Sequence, residues 1–271
     1  MLIYRPDRPP SPSHGITCIS LQSGSNGNCI YVEAGDTRLL FDAGISGKQA
    51  EARLARFGRD IRQVDAVIVS HDHADHVGKA GIFHRKFGHP VWVTRLTLTE
   101  AERRLHLGRF SSIEHFEAGA TLHFGDVTVQ TVPTQHDAAD GVGFVVEYAG
   151  RRLGILTDLG CPFGALDELV GSVDGLVLES NFDPDMLECG PYPWHLKQRV
   201  CGPHGHLSNV DAAELVKRCA GSRLRWVCLA HLSEENNTPE LALDTHRQIL
   251  GRELAIHVAS RFEPCGLFTV D

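Results

Sequence analysis

The chain has 271 residues, 42% of them hydrophobic and 22% charged, with a formal net charge of −8. That balance is ordinary for a folded α/β protein and excludes a largely disordered chain, while the negative charge excludes a surface uniformly basic toward phosphate backbones. No run of about 18 apolar residues offers a membrane span, and the expected location is the cytoplasm.

Met1 to His14 is proline-rich and lacks the apolar run and small-residue cleavage site of a signal peptide. Residues 1–14 are therefore expected to be a flexible tail, and 15–271 a single domain. Ile16 to Ala34 predicts two strands around Ser23-Gly24-Ser25-Asn26-Gly27-Asn28, and Arg38 to Phe41 a third. A helix is predicted over 46–57. Val64 to Val69 is almost continuously apolar, the mark of a strand covered on both faces, and it delivers the chain to Ser70-His71-Asp72-His73-Ala74-Asp75-His76. A second helix is predicted over 77–87. Further strands are predicted at 90–93, 127–132, 142–148, 152–156, 173–178 and 224–229, with helices at 95–106, 164–170, 208–219 and 238–250. No internal repeat stands out. The alternation suits two sheets packed face to face with helices outside.

His71-x-His73-x-Asp75-His76 places three imidazoles and a carboxylate within six residues at the end of a buried strand. His71 and His73 can converge on one metal, and the turn after them can present Asp75 and His76 to a second. Imidazole and carboxylate donors suit Zn, Mn or Fe. A lone histidine reads as a hydrogen-bonded core side chain; this density of ligand types on one loop does not. His136, Asp158 and His231 each follow a buried run, at strand ends where α/β folds place their chemistry. The eight cysteines form no CxxC pair and are expected to be reduced and packed, Cys161 included although it stands three residues past Asp158.

These residues resemble the metallo-β-lactamase superfamily, whose His-x-His-x-Asp-His hallmark residues 71–76 match, and the resemblance spans nearly the whole chain. It implies an α/β fold of the αββα sandwich type, with two mixed β-sheets and helices on the outer faces. It also implies two divalent metal ions: His71, His73 and His136 on one, Asp75, His76 and His231 on the other, and Asp158 bridging them. Asp42, in Phe41-Asp42-Ala43-Gly44, matches the family's early aspartate. It is read as orienting a ligand, with a plain turn aspartate as the alternative.

Leu178-Glu179-Ser180-Asn181-Phe182, Gly205-His206-Leu207-Ser208-Asn209 and Ala230-His231-Leu232-Ser233 look like the nuclease branch of that superfamily. Together with Gly24-Ser25-Asn26-Gly27-Asn28-Cys29 they resemble the YycJ/WalJ-type proteins, which implies a 5′-to-3′ DNA exonuclease. The stretch between Asp158 and Glu179 is too short for an inserted β-CASP module, so nucleic acid has to be held by the core fold. The expected reaction is phosphodiester hydrolysis by a hydroxide bridging the two metals, with Asp75 among the catalytic groups and His206, oriented by Glu179, protonating the leaving oxygen. Ser25, Asn26, Asn28, Ser208 and Asn209 are expected to donate to phosphate, with turn and helix-cap roles as the alternatives. Two other classes stay open. One is a small-molecule hydrolase acting on a thioester, lactone or cyclic phosphodiester, which the acidic composition favours. The other is a diiron redox or non-catalytic metal-binding protein, against which stands His73 where the diiron relatives carry Glu.

Overall fold

Strands that are apolar on both faces need cover on both. The computed structural model, which describes residues 15–162 and 164–271, supplies it with two face-to-face sheets and helices outside each. The tail expected over 1–14 lies outside the described residues.

The first sheet starts with β1 (Ile16–Gln22), β2 (Cys29–Ala34) and β3 (Thr37–Phe41), paired antiparallel. To these β4 (Ala66–Ile68), β5 (Val91–Val93) and β6 (Ile113–His115) add in parallel. The second sheet repeats this arrangement. β7 (Thr121–Phe124), β8 (Val127–Pro133), β9 (Val142–Tyr148) and β10 (Arg151–Leu156) are antiparallel, and β11 (Gly175–Glu179), β12 (Trp226–Ala230) and β13 (Ala255–Val258) follow in parallel. Finally β14 (Cys265–Val270) returns to pair antiparallel with β1, which gives each sheet seven strands.

The period of two along each strand divides the core into layers. In β4, Ala66 and Ile68 face the second sheet, whereas Val67 faces the helices. In β11, Val177 faces the first sheet, whereas Leu176 and Leu178 lie under helices. At the centre of the inter-sheet layer the rings of Phe41 and Phe144 sit 4.8 Å apart.

The helices are α1 (Gly47–Ala55), α2 (Ala74–Val77), α3 (Ala80–Phe87), α4 (Arg95–Arg104), α5 (Gly164–Ser172), α6 (Pro184–Cys189), α7 (Trp194–Val200), α8 (Asn209–Cys219) and α9 (Pro239–Leu250). Ser46, Thr94, Ser208 and Thr238 cap α1, α4, α8 and α9 by accepting a hydrogen bond from the first turn. The helix expected over 77–87 is two helices. Its break at Gly78-Lys79 lets the Lys79 N–H bind the Ala43 carbonyl at 2.8 Å, which ties the loop after β4 to the turn after β3. Strands β6, β7, β13 and β14 and helices α6 and α7 were not foreseen from the sequence. Among the described residues no helix is long and apolar enough to cross a membrane.

His246, on the buried face of α9, shows one stability consequence of this packing. Its Nδ1 donates to the Ala242 carbonyl at 2.9 Å, and its Nε2 is buried with no hydrogen-bond partner. Burial lowers its pKa to about 4. The folded value is thus below that of the unfolded chain, which takes up the proton first as pH falls. The stability is present above the unfolded value near 6.5 and is lost between there and 4. Between pH 7 and pH 4, urea unfolding should show the wild type losing about 2–3 kcal/mol more than His246→Leu. Parallel losses in the two proteins would show that this imidazole does not carry the effect.

Candidate metal centre

The strand ends of both sheets open toward one spot. β4 delivers His71, His73, Asp75 and His76; β8, β10 and β12 deliver His136, Asp158 and His231. A hydrogen bond of 3.1 Å from Val142 N–H to the Ser70 carbonyl holds the two sheets together at this point.

Of the four overlapping groups of nitrogen and oxygen donors that result among the described residues, two match the expected ligand sets, and another joins Asp158 and His231 to Glu179 and His206. His71, His73 and His136 offer ligand atoms within 4.8 Å of one another, and so do Asp75, His76 and His231. His73 Nδ1 lies 3.3 Å from His136 Nε2, and His231 Nε2 lies 3.4 Å from Asp75 Oδ2. Asp158 stands between the groups. Its Oδ1 is 3.7 Å from His136 Nε2 and 3.5 Å from His231 Nε2, and its Oδ2 is 3.3 Å from His76 Nε2. The structure therefore brings together every residue expected as a ligand.

Buried atoms without partners test the fit to metal. His71 Nε2 and Asp158 Oδ2 have no hydrogen-bond partner, although each is buried. A bare buried polar atom costs about 1–3 kcal/mol, so His71 Nε2 calls for a cation or another partner in the gap it faces, while Asp158 Oδ2 has only the ion-pair contact with His76 at 3.3 Å. Protonation states point the same way. Burial and the nearby His76 hold His71 well below the usual imidazole range, which leaves it neutral and able to ligate. Burial also opposes charge on His76, but Asp158, Asp42 and Asp75 outweigh it and raise the imidazole well above its usual range. Uptake of a cation by the second group therefore has to release a proton.

The backbone is strained to make this arrangement. Asp42, Asp158 and His231 have φ of 65°, 56° and 55°, in the left-handed region that side chains disfavour. Gly44 allows the tight approach of the turn after β3, since a Cβ there would lie 1.7 Å from the Asp75 carbonyl oxygen. Asp42 then accepts from Ser70 N–H at 2.8 Å, from Ser70 Oγ at 2.9 Å and from His76 Nδ1 at 2.7 Å. The last of these hydrogen bonds holds the His76 ring with Nε2 toward Asp158, 3.3 Å away. His136 is fixed likewise by its Nδ1, which donates to the Gly205 carbonyl at 2.8 Å.

Beside these donor groups stands a further pair. His206 Nδ1 lies 2.6 Å from Glu179 Oε1, and Glu179 Oε2 accepts from Leu159 N–H at 3.0 Å. Burial disfavours charge on His206, but Glu179, and after it Asp158 and Asp137, raise its pKa to about 8. Engagement of Nδ1 leaves Nε2 as the free ring nitrogen. His206 lines a cleft of about 220 Å³ with Asp75, Asp158, His231, His136 and His73.

Three of the residues expected to contact phosphate are buried and already hydrogen-bonded within the protein. Asn28 turns its amide inward, with Nδ2 2.9 Å from His76 Nε2 and 3.2 Å from Asp75 Oδ2. Ser208 spends its hydroxyl capping α8, with Asp211 N–H donating to it at 3.0 Å. Asn209 is fully buried; its Oδ1 accepts from Ser180 Oγ at 2.6 Å and from Asn237 Nδ2 at 2.9 Å. Ser25 lines the cleft, and exposed Asn26 donates to the Arg261 carbonyl at 3.0 Å. All eight cysteines are free, and the Cys161 thiol bonds Gln135 Oε1 at 3.2 Å outside the ligand groups.

Sequence reasoning missed several supports. Asp72, between the first two histidines, accepts from Ala139 N–H at 2.9 Å and from Arg104 at 3.0 Å, and so holds the His136 loop. Asp137 lies 3.3 Å from His136 Nε2 and pairs with Arg199 on α7. Adjacency to His136 was the only available signal for Asp137.

Comparison with known proteins agrees with this geometry. The model for "Beta-lactamase superfamily domain" matches residues 37–231. The chain is 38% identical over 224 residues to the exodeoxyribonuclease WalJ of Streptococcus pneumoniae, covering 82% of this chain and 83% of that one. It is 34% identical over 245 residues to the exodeoxyribonuclease YycJ of Bacillus anthracis, covering 90% and 92%. Among solved structures, the metallo-β-lactamase fold protein YhfI from Bacillus subtilis superposes with a TM-score of 0.70 at 15% identity, over 93% of this chain and 99% of that one. The chain, with its paired seven-stranded sheets and its ligand groups at their shared edge, belongs to the β-lactamase superfamily domain family and has the metallo-β-lactamase fold.

Proposed function

We propose that this protein hydrolyses phosphodiester bonds in DNA, as a metal-dependent exonuclease that works in the 5′-to-3′ direction in the cytoplasm. The observation that carries the reading is the His206–Glu179 pair at 2.6 Å, a proton donor held against the ligand groups at the edge of a cleft. The printed names of WalJ and YycJ support DNA as the substrate. A cleft of about 220 Å³ is smaller than the roughly 300–1,000 Å³ usual for drug-sized ligands, so it suits the end of a strand rather than a whole duplex.

His71, His73 and His136 would hold one divalent ion and Asp75, His76 and His231 a second, with Asp158 standing between the two groups. Zinc or manganese bound there supplies Lewis acidity and lowers the pKa of water toward ~7. The chain's own groups do the remaining work. Asp75, open to the cleft, orients the attacking water. His206 gives the proton on Nε2 to the oxygen that leaves phosphorus as the P–O bond breaks. Glu179 keeps Nδ1 protonated and stabilises the imidazolium before transfer. Asp42 and the Gly205 carbonyl keep the ligand rings aimed.

The direct test is incubation of the Zn- and Mn-loaded protein with end-labelled single- and double-stranded DNA and RNA. Mononucleotides released from 5′ ends of DNA are expected. Turnover of thioesters or lactones without nucleic-acid cleavage would replace this reading with a small-molecule hydrolase. Asp158→Ala should lose at least one metal equivalent per chain by elemental analysis and lose turnover; two retained equivalents with wild-type hydrolysis would remove Asp158 from its place between the ions.

His206→Ala should keep both metals and bind substrate nearly normally, yet turn over about 10² to 10⁴ more slowly. The loss should shrink on bis(p-nitrophenyl) phosphate, whose leaving group needs little protonation. Glu179→Gln should act in the same direction and non-additively with His206→Ala. Equal slowing on both substrates, or a missing metal in His206→Ala, would show a different role for His206.

A further inference from the structure

Among the described residues that line the cleft, Arg199 alone carries a permanent positive charge, against the carboxylates of Asp75, Asp137 and Asp158. It belongs to α7, which has no buried residue, and its side chain is 62% exposed. Leu196, Arg199 and Val200 stand at i, i+3 and i+4, so one face of this short helix is turned to the cleft. Its position is fixed from two sides. Arg199 Nε donates to Asp137 Oδ2 at 2.6 Å, which holds the guanidinium beside His136. Gly205 brings the His206 loop against the end of α7, since a Cβ there would lie 2.2 Å from the Arg199 and Val200 carbonyl oxygens.

The local sequence adds a second observation. From Gly190 to Val210 there is no Asp or Glu, in a chain that has 34 of them and a net charge of −8. The segment itself therefore offers a polyanion only neutral and basic side chains, in a chain whose net charge is −8, and the nearby Asp137 is paired with Arg199.

We propose that α7 and the acid-free segment around it form the track for the nucleic-acid backbone, with Arg199 gripping a phosphate that flanks the one cleaved. The proposal rests on the nuclease reading above and names the surface that holds its substrate. The planar guanidinium matches two phosphate oxygens, and Asp137 keeps it oriented while the track is empty. The cleaved phosphate lies over the ligand groups on the cleft floor, and Arg199 on the wall reaches its neighbour along the strand. Leu196 and Val200 offer apolar surface to the intervening sugar.

The test uses the metal-loaded full chain and compares wild type, Arg199→Ala, Arg199→Lys and Lys217→Ala, which removes a charge at the far end of α8. Each is assayed on a single-stranded DNA oligonucleotide across a salt series and on bis(p-nitrophenyl) phosphate, which has a single phosphate. Arg199→Ala is expected to raise the oligonucleotide KM about 10- to 100-fold with kcat nearly unchanged. The slope of log affinity against log salt should become shallower by about 0.7, the value for one single-strand phosphate contact. The nitrophenyl ester should be turned over within about threefold of wild type. Arg199→Lys should keep the full slope, and Lys217→Ala should change neither quantity. A full slope in Arg199→Ala, equal losses on both substrates, or loss of metal from that variant would each overturn the proposal. If the wild type itself neither binds nor cleaves the oligonucleotide, the nuclease reading fails and the track fails with it; a cleaving wild type with an unaltered Arg199→Ala refutes the track alone.

Discussion

Asp158 is a carboxylate almost wholly withdrawn from water and surrounded by the imidazoles of His76, His136, His206 and His231 at 3.3 to 3.7 Å. A buried charge is tolerated only with close partners of opposite sign, and removal of such partners typically costs 3–5 kcal/mol. The position of Asp158 therefore obliges four separate loops to meet. It also explains why the backbone is strained at Asp42, Asp158 and His231 and relaxed in the strands that precede them. The strain, the orphaned atoms and the converging rings are different expressions of one electrostatic demand, which cations satisfy better than protons.

Around that centre, polar side chains divide into those that face the cleft and those that brace it. Asn237 donates from one amide nitrogen to the Ser180 carbonyl, the Asn181 carbonyl and Asn209 Oδ1, at 3.0, 3.0 and 2.9 Å. Asn181 in turn donates to the His231 carbonyl at 2.7 Å. The Glu179, His206 and His231 loops are knitted by these bonds into one unit, so His206 and His231 keep a fixed relation. Such networks stabilise only when every member is satisfied, which accounts for the density of Asn and Ser beside the chemical residues.

The donor groups that the structure brings together were legible because their signal is local: three imidazoles and a carboxylate fall on one loop at the end of a buried strand. Asp42 and Glu179 were legible from the motif in which each sits. The layered fold was legible from runs such as Val64–Val69, which only a covered strand can bury. What stayed hidden has physical reasons. β13 and β7 alternate exposed and covered positions over four residues, too few for a period to register, and α6 and α7 span six and seven residues with little or no buried face. Asn28, Ser208 and Asn209 carry side chains suited to phosphate, and a sequence does not say whether a hydrogen-bonding group points outward or is already engaged. Arg199 had no motif at all; only the lack of acidic residues around it was visible. The likeness of the two sheets, each with an antiparallel half and a parallel half, left no trace as a repeat because only the pairing pattern is shared.

The return of β14 to the edge of β1 sets an order of events for the newborn chain. The second sheet joins strands in sequence order, β7 through β13, and can zip up as it leaves the ribosome. The first does the same from β1 through β6, but the outer edge of β1 at Ile16–Gln22 waits for Cys265–Val270. At translation rates of about 5–20 residues per second, the apolar edge of β1 stands unpaired for on the order of ten to fifty seconds. Closure of that edge is a contact of very long range and correspondingly slow. The outer edge of β1 is thus the last of the strand edges to be sealed, and the demand for chaperone protection falls on that strand.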